Sequence, residues 1–212
     1  NTSGSSSGTG AAVSANLCVV GIGTETDGSV VSPSSVCGIV GVKPTVGLVS
    51  RAGIIPISSS QDTAGPMTRT VRDAAHLLTA IAAMDPRDAA TLKDRPDDLP
   101  TDYAIGLDQP ALKSARLGVL RDVFGSYPKL DVVLEDALKV LRAAGAEIID
   151  KVKMPSMDEM GTAELEVMVY EYKAGLNAYF ASLGPDSPVK SVAELIEFNR
   201  THRETEMPYF GQ

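Results

Sequence analysis

The sequence predicts an α/β fold, and three observations support this prediction. Of the 212 residues, 43% are apolar and 5% are aromatic, proportions that suit a folded chain and exclude wholesale disorder. Two apolar, β-branched runs near the N-terminus are typical of buried strands. Farther along, apolar residues recur at helical spacing between capping and stop signals. The length suits one domain or a part of a larger one.

The first 66 residues form an unusual segment, because they carry few charges and many small side chains. The charged residues in it are Glu25, Asp27, Lys43, Arg51 and Asp62. A flexible Gly/Ser linker does not explain this composition, since the apolar runs 17–22 and 36–42 lie within it. We expect each run to form a strand that is buried on both faces of a sheet.

The residues that follow predict amphipathic helices and strands of an ordinary α/β domain. Thr70 predicts the N-cap of a helix that runs through Met84. Four X-Pro pairs in residues 85–112 predict a long surface connection. A strand is expected at Arg116–Leu120, and a helix at Asp131–Ala144 that Gly145 terminates.

The C-terminal third predicts one more strand and two capped helices. The strand is expected at Ala146–Asp150. The capping-box patterns Ser156–Glu159 and Ser191–Glu194 each precede a helical segment. The first of these helices is expected to run to about Leu183, where Gly-Pro ends it.

Composition also excludes several classes of function. The formal net charge is −8, without a cluster of Lys or Arg, which argues against nucleic acid as a partner. The sequence contains no run of about 18 apolar residues, so it predicts no membrane-spanning helix. Cys18 and Cys37 do not make a disulfide framework, and we expect both to be inert side chains in buried strands. We expect no metal and no cofactor, and a cytoplasmic location because no signal peptide is visible.

The chemistry is concentrated near the N-terminus. Residues 4–10 are rich in Gly and Ser and lead into a predicted short helix at 11–16, a weak signal for an anion site. After the first predicted strand, Gly28 allows a tight turn that presents the Ser29 hydroxyl. The amides of Thr26, Asp27, Gly28 and Ser29 are then expected to face a developing oxyanion.

A serine hydroxyl must be activated before it acts as a nucleophile. The two histidines, His76 and His202, lie far along the chain from Ser29, so the sequence does not support a Ser-His-Asp triad. A different means of activation is required.

The linked motifs resemble those of the amidase signature family. They are residues 4–8, the 24-residue interval from Ser5 to Ser29, and residues 27–29, 38–47 and 62–71, in the order that the family has them. The variant at 23–29 looks most like peptide amidases, which hydrolyse C-terminal carboxamides. The resemblance implies an α/β/α fold with a mixed central sheet flanked by helices. We expect residues 1–70 to hold the signature core with the nucleophile and the oxyanion loop, and residues 71–212 to form its α/β continuation and helices that border the cleft.

The resemblance also implies a Ser–cis-Ser–Lys triad. Ser29 matches the nucleophile, and Ser5 matches the bridging serine, which is expected to follow a cis peptide bond. Residues 26–29 match the oxyanion segment. In the family, the lysine base precedes the Gly-Ser loop at which this sequence starts. We therefore expect an internal fragment that is inactive alone.

Two further positions refine the expected function. Lys43 matches a structural position of the family and not the base. Val31 stands where many relatives carry Arg, which favours a neutral amide over an acidic substrate.

The predicted function is amide hydrolysis through an acyl-Ser29 intermediate with release of ammonia, on a small-molecule or peptide amide. One alternative is the glutaminase-like A subunit of a tRNA-dependent amidotransferase. The other is a non-catalytic interaction fragment. Because a piece of a larger fold exposes apolar surface and sheet edges, we also expect self-association.

Overall fold

A computed structural model describes residues 1–93, 98–150, 152–154 and 157–209. The α/β class is confirmed. The chain forms two compact units: one comprises Asn1–Ala104 and the chain from Glu164 onward, and the other comprises Ile105–Ala163. The strands lie in two small sheets, one antiparallel and one parallel, where the resemblance implied one mixed sheet.

The first unit contains a three-stranded antiparallel sheet. Its strands are β1 (Gly21–Glu25), β2 (Val40–Gly41) and β3 (Thr63–Thr68), in the order β1-β3-β2. Strand β3 is buried along its whole length although it contains Pro66, a residue that sheets usually confine to their edges. The carbonyl of Pro66 still accepts a hydrogen bond from the Val42 amide (3.0 Å).

The described residues form helices of widely different lengths. The α-helices are α1 (Ser7–Ser14), α2 (Val31–Val36), α3 (Val71–Ile81), α4 (Pro128–Ala143), α5 (Met157–Ser182), α6 (Val192–Thr201) and α7 (Arg203–Glu206). Short 3₁₀ turns occur at Ala89–Thr91 and Arg121–Val123. Within the part of the chain that the structure describes, no helix combines the length and apolar character needed to cross a bilayer.

Two side chains anchor α1 to β1: Ser6, which precedes the helix, and Thr9, whose hydroxyl donates to the Ile22 carbonyl (3.2 Å). The Ser6 hydroxyl donates to the Thr24 carbonyl (3.2 Å) and accepts from the Thr24 amide (3.1 Å). Gly23 allows this close approach, since a Cβ there would lie 2.6 Å from Met67 Sδ and 2.8 Å from Ser6 Oγ. The start of α1 is thereby fixed against the sheet.

Helix α3 begins where the sequence predicts. The Thr70 hydroxyl accepts a hydrogen bond from the Asp73 amide (3.0 Å), which is the predicted N-cap. The helix ends at Ile81, three residues before the predicted Met84. Its buried face includes Leu78, which belongs to the hydrophobic core of this unit.

The strand predicted at residues 17–22 is largely wrong. Strand β1 begins only at Gly21, and the side chains of Leu17 and Val19 are 80% and 73% exposed. The chain leaves α1 through Asn16, whose φ of 61° turns the backbone before an extended segment starts. The apolar run is therefore split between a turn and a strand.

The strand predicted at residues 36–42 is also mostly wrong. Val36 ends α2, and the Ile39 amide returns to the Ser34 carbonyl (2.9 Å), so a turn follows the helix. Only β2 remains extended. Cys18 and Cys37 accordingly lie outside buried strands, and both are free and partly exposed.

The connection at 85–112 is not wholly on the surface. Thr91 is fully buried, and its hydroxyl donates to the carbonyls of Asp85 (3.0 Å) and Asp88 (2.8 Å). Local hydrogen bonds thus order part of this Pro-rich segment.

The second unit contains the parallel pair β4 (Arg116–Gly118) and β5 (Glu147–Ile149). Both strands lie inside the ranges predicted from the sequence. Helix α4 starts at Pro128, before the predicted Asp131, because proline suits the first turn of a helix. It ends just before Gly145, as predicted.

The two later caps have different outcomes. The Ser191 hydroxyl accepts from the Glu194 amide (3.2 Å), which confirms the predicted cap of α6. The cap predicted at Ser156 lies outside the described residues. Helix α5 ends before Gly184, as predicted.

Candidate active site

Two loops bring Ser5 and Ser29 into one region of the first unit. Ser5 precedes α1, and Ser29 precedes α2. The Gly4–Ser5 peptide bond is cis, as the resemblance implies. The amide of Ser6, the next residue, donates to the Ser29 carbonyl (3.1 Å), so the two loops are in direct contact.

Both serines line the same small pocket. Its lining residues are Ser5, Thr24, Glu25, Thr26, Ser29, Ile54, Ile55, Ile57, Asp62 and Thr63. We call Ile54, Ile55 and Ile57 the isoleucine wall. Within the described chain, neither the Ser5 nor the Ser29 hydroxyl forms a hydrogen bond, so the proton relay between them stays a prediction. Catalytic hydrogen bonds are often long until substrate binds.

A tight turn presents Ser29, as predicted. Gly28 has φ of +77°, a conformation that glycine adopts without steric cost. The Gly28 amide, however, already donates to Glu25 Oε1 (2.9 Å). No hydrogen bond within the described residues occupies the amides of Thr26, Asp27 and Ser29. The oxyanion segment predicted at 26–29 is thereby narrowed to these three amides, whose role stays a prediction.

Glu25 is a site residue that the sequence reasoning missed. Its side chain is 4% exposed. Besides the Gly28 amide, the carboxylate accepts the amides of Val30 (2.7 Å) and Val31 (2.9 Å). Charge-assisted hydrogen bonds of this kind offset the cost of burying an ionised group. Glu25 therefore fixes the turn that carries Ser29 and the first residues of α2.

Asp62 is the second carboxylate that the sequence reasoning missed. Its Oδ1 accepts the Thr26 hydroxyl (2.5 Å), and its Oδ2 accepts the amides of Ile57 (2.8 Å) and Ser58 (2.9 Å). One side chain thus joins the predicted oxyanion segment to the isoleucine wall.

Lys43 also contacts this segment. Its Nζ donates to the Thr26 carbonyl (2.5 Å), so Thr26 is held by its carbonyl as well as by its hydroxyl. This contact agrees with the structural role that the sequence suggested for Lys43.

One sequence signal points to the two carboxylates. Glu25 and Asp62 are among the few charged residues of a segment that is otherwise small and apolar. A charge in such a segment is expected to be buried, and a buried charge requires specific partners. Lys43 belongs to the same small set of charged residues, but it is exposed.

A larger cavity, of about 190 Å³, shares Ile54 and Asp62 with the serine pocket. Arg51 lines it and forms a two-point ion pair with Asp88 (2.9 and 3.0 Å). The Arg51 hydrogen bond lowers the pKa of the Asp88 carboxyl to about 2. The charge of Arg51 is therefore already paired, and the cavity does not present it to an anionic ligand.

In the described ranges, no group of three or more His, Cys, Asp or Glu side chains is arranged to hold a metal ion.

Comparison with known proteins decides the family. The family model described as Amidase matches residues 1–207, nearly the whole chain. The chain belongs to the amidase family. The resemblance seen in the motifs between residues 4 and 71 is confirmed, and the match continues through the helices that follow them.

Relatives within the amidase family have different described activities. A probable amidase of Arabidopsis thaliana is 44% identical over 211 residues, which cover 97% of this chain and 40% of that protein. The A subunit of glutamyl-tRNA(Gln) amidotransferase from Acaryochloris marina is 44% identical over 177 residues, covering 84% of this chain and 33% of that protein.

The X-ray structure of native peptide amidase from Stenotrophomonas maltophilia superposes with a TM-score of 0.90 at 47% identity. The match covers 100% of this chain and 43% of that structure. The chain therefore spans about two fifths of the length of the Arabidopsis thaliana protein and of the peptide amidase. Its match covers one third of the amidotransferase subunit.

Proposed function

We propose that Ser29 is the nucleophile of a serine amidohydrolase that hydrolyses a neutral carboxamide and releases ammonia. The observation that carries the proposal is the shared pocket, which Ser29 and Ser5 line together although 24 positions separate them. The unoccupied amides around Ser29 and the membership of the amidase family support it.

The proposed reaction has two stages. Ser29 Oγ attacks the carboxamide carbon while its proton passes through the Ser5 hydroxyl to a lysine base. The amides of Thr26, Asp27 and Ser29 stabilise the oxyanion that forms. The C–N bond then breaks, and ammonia leaves with the returned proton. Water hydrolyses the acyl-Ser29 ester by the same path and yields the carboxylic acid.

No lysine lies among the described residues that line the serine pocket. Lys43 donates to the Thr26 carbonyl, and the carboxylates of Glu25 and Asp62 each accept three hydrogen bonds. These groups are therefore occupied with holding the backbone. We propose that residues 1–212 alone do not turn over substrate, because a lysine outside them supplies the base, as the family resemblance implies.

The pocket favours a neutral substrate. The described residues that line it carry no positive charge, and the isoleucine wall offers apolar surface. Ile55 is 61% exposed, so it is accessible to a bound molecule. A substrate carboxylate finds no cation here, whereas an apolar group beside the carboxamide is accommodated. We propose that the C-terminal amide of a peptide is such a substrate.

The decisive test is Ser29→Ala in the full-length enzyme. Loss of the nucleophile is expected to lower ammonia release from a peptide amide by about a thousandfold or more. Ser35→Ala, at an exposed position of α2, is the matched control and should retain wild-type turnover. Undiminished hydrolysis by Ser29→Ala would refute the proposal.

A second candidate function is glutaminase activity within an amidotransferase. The 44% identity to the Acaryochloris marina protein favours it. In that case, glutamine is hydrolysed and activity depends on other subunits. The absence of a cation among the described pocket-lining residues and the presence of Val31 count against a carboxylate-bearing substrate. Turnover of glutamine only with added partners would favour this alternative.

Two further predictions have simple tests. If the chain has a non-catalytic interaction role, the full-length protein shows no Ser29-dependent hydrolysis. Self-association of residues 1–212 also stays a prediction, and light scattering tests it.

A further inference from the structure

Glu171 lies on α5, and its carboxylate holds a turn far earlier in the chain. Its Oε2 accepts the Ser58 hydroxyl (2.5 Å), the Ser60 amide (3.0 Å) and the Ser60 hydroxyl (2.9 Å). Ser58 is fully buried. The hydrogen bonds, first among them that from Ser58, hold the pKa of the Glu171 carboxyl below its ordinary range. Glu171 is therefore ionised at neutral pH.

The turn at residues 58–60 is held by a second carboxylate as well. Asp62 accepts the Ser58 amide (2.9 Å), while Glu171 accepts the Ser58 hydroxyl. The other oxygen of Asp62 accepts the Thr26 hydroxyl. A continuous series of hydrogen bonds therefore connects α5 to the predicted oxyanion segment through Ser58 and Asp62.

The same turn supports the wall of the serine pocket. Ile57 directly precedes Ser58, and its amide shares Asp62 Oδ2 with the Ser58 amide. A shift of the turn therefore moves Ile57 relative to Ser29. Both the apolar wall and the oxyanion segment depend on where this turn lies.

We propose that Glu171 is a positioning residue for amide hydrolysis, which holds the 58–60 turn so that Thr26 and the isoleucine wall keep their places beside Ser29. The proposal rests on the proposed function of Ser29. It assigns Glu171 an effect on which acyl group is accepted, as well as on rate. A merely structural contact would change the fraction of folded enzyme and leave substrate preference unaltered.

The experiment compares two peptide amides with the full-length enzyme, one ending in leucinamide and one in glycinamide. For Glu171→Leu, loss of three hydrogen bonds to a charged group is expected to lower kcat/KM for leucinamide by about 30-fold and for glycinamide by about tenfold. The preference for leucinamide over glycinamide is thus expected to fall about threefold, because the isoleucine wall is proposed to contact the leucine side chain and glycine has none.

Glu171→Gln keeps an acceptor oxygen and is expected to restore most of the activity and the wild-type preference. Glu166→Gln removes an exposed charge from the same helix and should match the wild type for both substrates. Ser60→Ala provides a milder variant if Glu171→Leu does not fold, and it should lower leucinamide turnover about threefold.

The proposal is overturned if Glu171→Leu leaves the preference between the two substrates unchanged, whatever its effect on rate. Where Glu171→Leu does not fold, a kcat/KM of Ser60→Ala for leucinamide within about twofold of the wild type would overturn it. A Glu171 variant with a lower melting temperature but normal kinetics of the folded enzyme would also overturn the proposal. If Ser29→Ala remains active, the proposed function fails instead. If Ser29→Ala is inactive while the Glu171 variants behave as wild type, only the role of Glu171 fails.

Discussion

In residues 1–66, the buried carboxylates of Glu25 and Asp62 bind the backbone, whereas in the unit Ile105–Ala163 many charged side chains bind one another. Glu25 and Asp62 are buried, and each accepts three hydrogen bonds from backbone amides or from a Thr26 hydroxyl. Every one of these bonds fixes a loop that borders the serine pocket. The two buried carboxylates of the first region thus fix the positions of the loops around the serine pocket.

The second region has many charges, which form partly exposed ion pairs. Arg121 pairs with both Glu135 and Asp150, and Arg142 pairs with Asp150 (3.1 Å). Pairs of this kind contribute little to stability, because water screens them and long side chains lose freedom in forming them. The burial of the charges in a region therefore says more about their structural role than their number does.

Among the charged residues compared above, the largest effect is expected from Glu25→Gln. The amide retains one acceptor oxygen for three backbone N–H groups and adds an NH₂ donor beside them. The free energy of unfolding should fall by about 2–4 kcal/mol, and ammonia release by about 100-fold. Chemical denaturation and a steady-state assay measure the two quantities. Glu166→Gln is the exposed control, and an equal response from both variants would contradict the comparison.

Lys43→Met should have a smaller effect that is confined to catalysis. It removes the hydrogen bond to the Thr26 carbonyl and loosens the segment that is proposed to bind the oxyanion. We expect kcat to fall about tenfold with little change in KM, which steady-state kinetics measure. A rise in KM alone, with kcat preserved, would contradict the role given to Lys43.

Asp88 predicts a pH dependence of stability. Its pKa is lowered to about 2 from an ordinary 3.8 by the Arg51 hydrogen bond. The ion pair therefore stabilises the fold above the ordinary pKa, and this contribution is lost as pH falls through the lowered one. Asp88→Asn should be less stable than the wild type at neutral pH, and the gap should narrow under acid. Denaturation curves along a pH series check this, and a constant gap would be the contrary result.

The smallest effect is expected from Lys139→Met in the second region. Lys139 pairs with Asp136 at 2.7 Å, and its side chain is 71% exposed. Because water already solvates both partners, the melting temperature should equal that of the wild type. Thermal unfolding followed by circular dichroism is sufficient, and a clear decrease would show that exposed pairs matter here.

Elements with local signals could be predicted from the sequence. The caps at Thr70 and Ser191 are predictable because each pattern places a hydroxyl next to the amide from which it accepts. The end of α4 before Gly145 follows from the same kind of rule. These signals act over three or four residues and do not depend on the rest of the fold.

The strands of the antiparallel sheet could not be predicted as well as these helix ends, because their pairing partners decide where they form, whereas β4 and β5 lie inside their predicted ranges. The run at 17–22 has strong β propensity, but only its last residues find β3 as a partner. Strand β3 itself contains glycine and Pro66, which local rules exclude from a central strand. Tertiary pairing overrides propensity in both cases.

The candidate site shows the same division. The motifs indicated Ser5, Ser29 and the turn at Gly28, and the structure brings the two serines to one pocket. The carboxylates of Glu25 and Asp62 were missed, because their partners are mostly backbone amides, which any residue supplies. Their isolation in an uncharged segment was the only signal.

The crowding around Gly23 limits where this chain accepts larger side chains. Even a methyl group at Gly23 would meet Met67 Sδ and Ser6 Oγ at less than 3 Å, so this position of β1 has no space for a side chain. The exposed faces of Ile55 and Ile57, by contrast, have room for other side chains. Libraries aimed at new substrates should therefore diversify these two positions and leave the strand that carries Gly23 untouched.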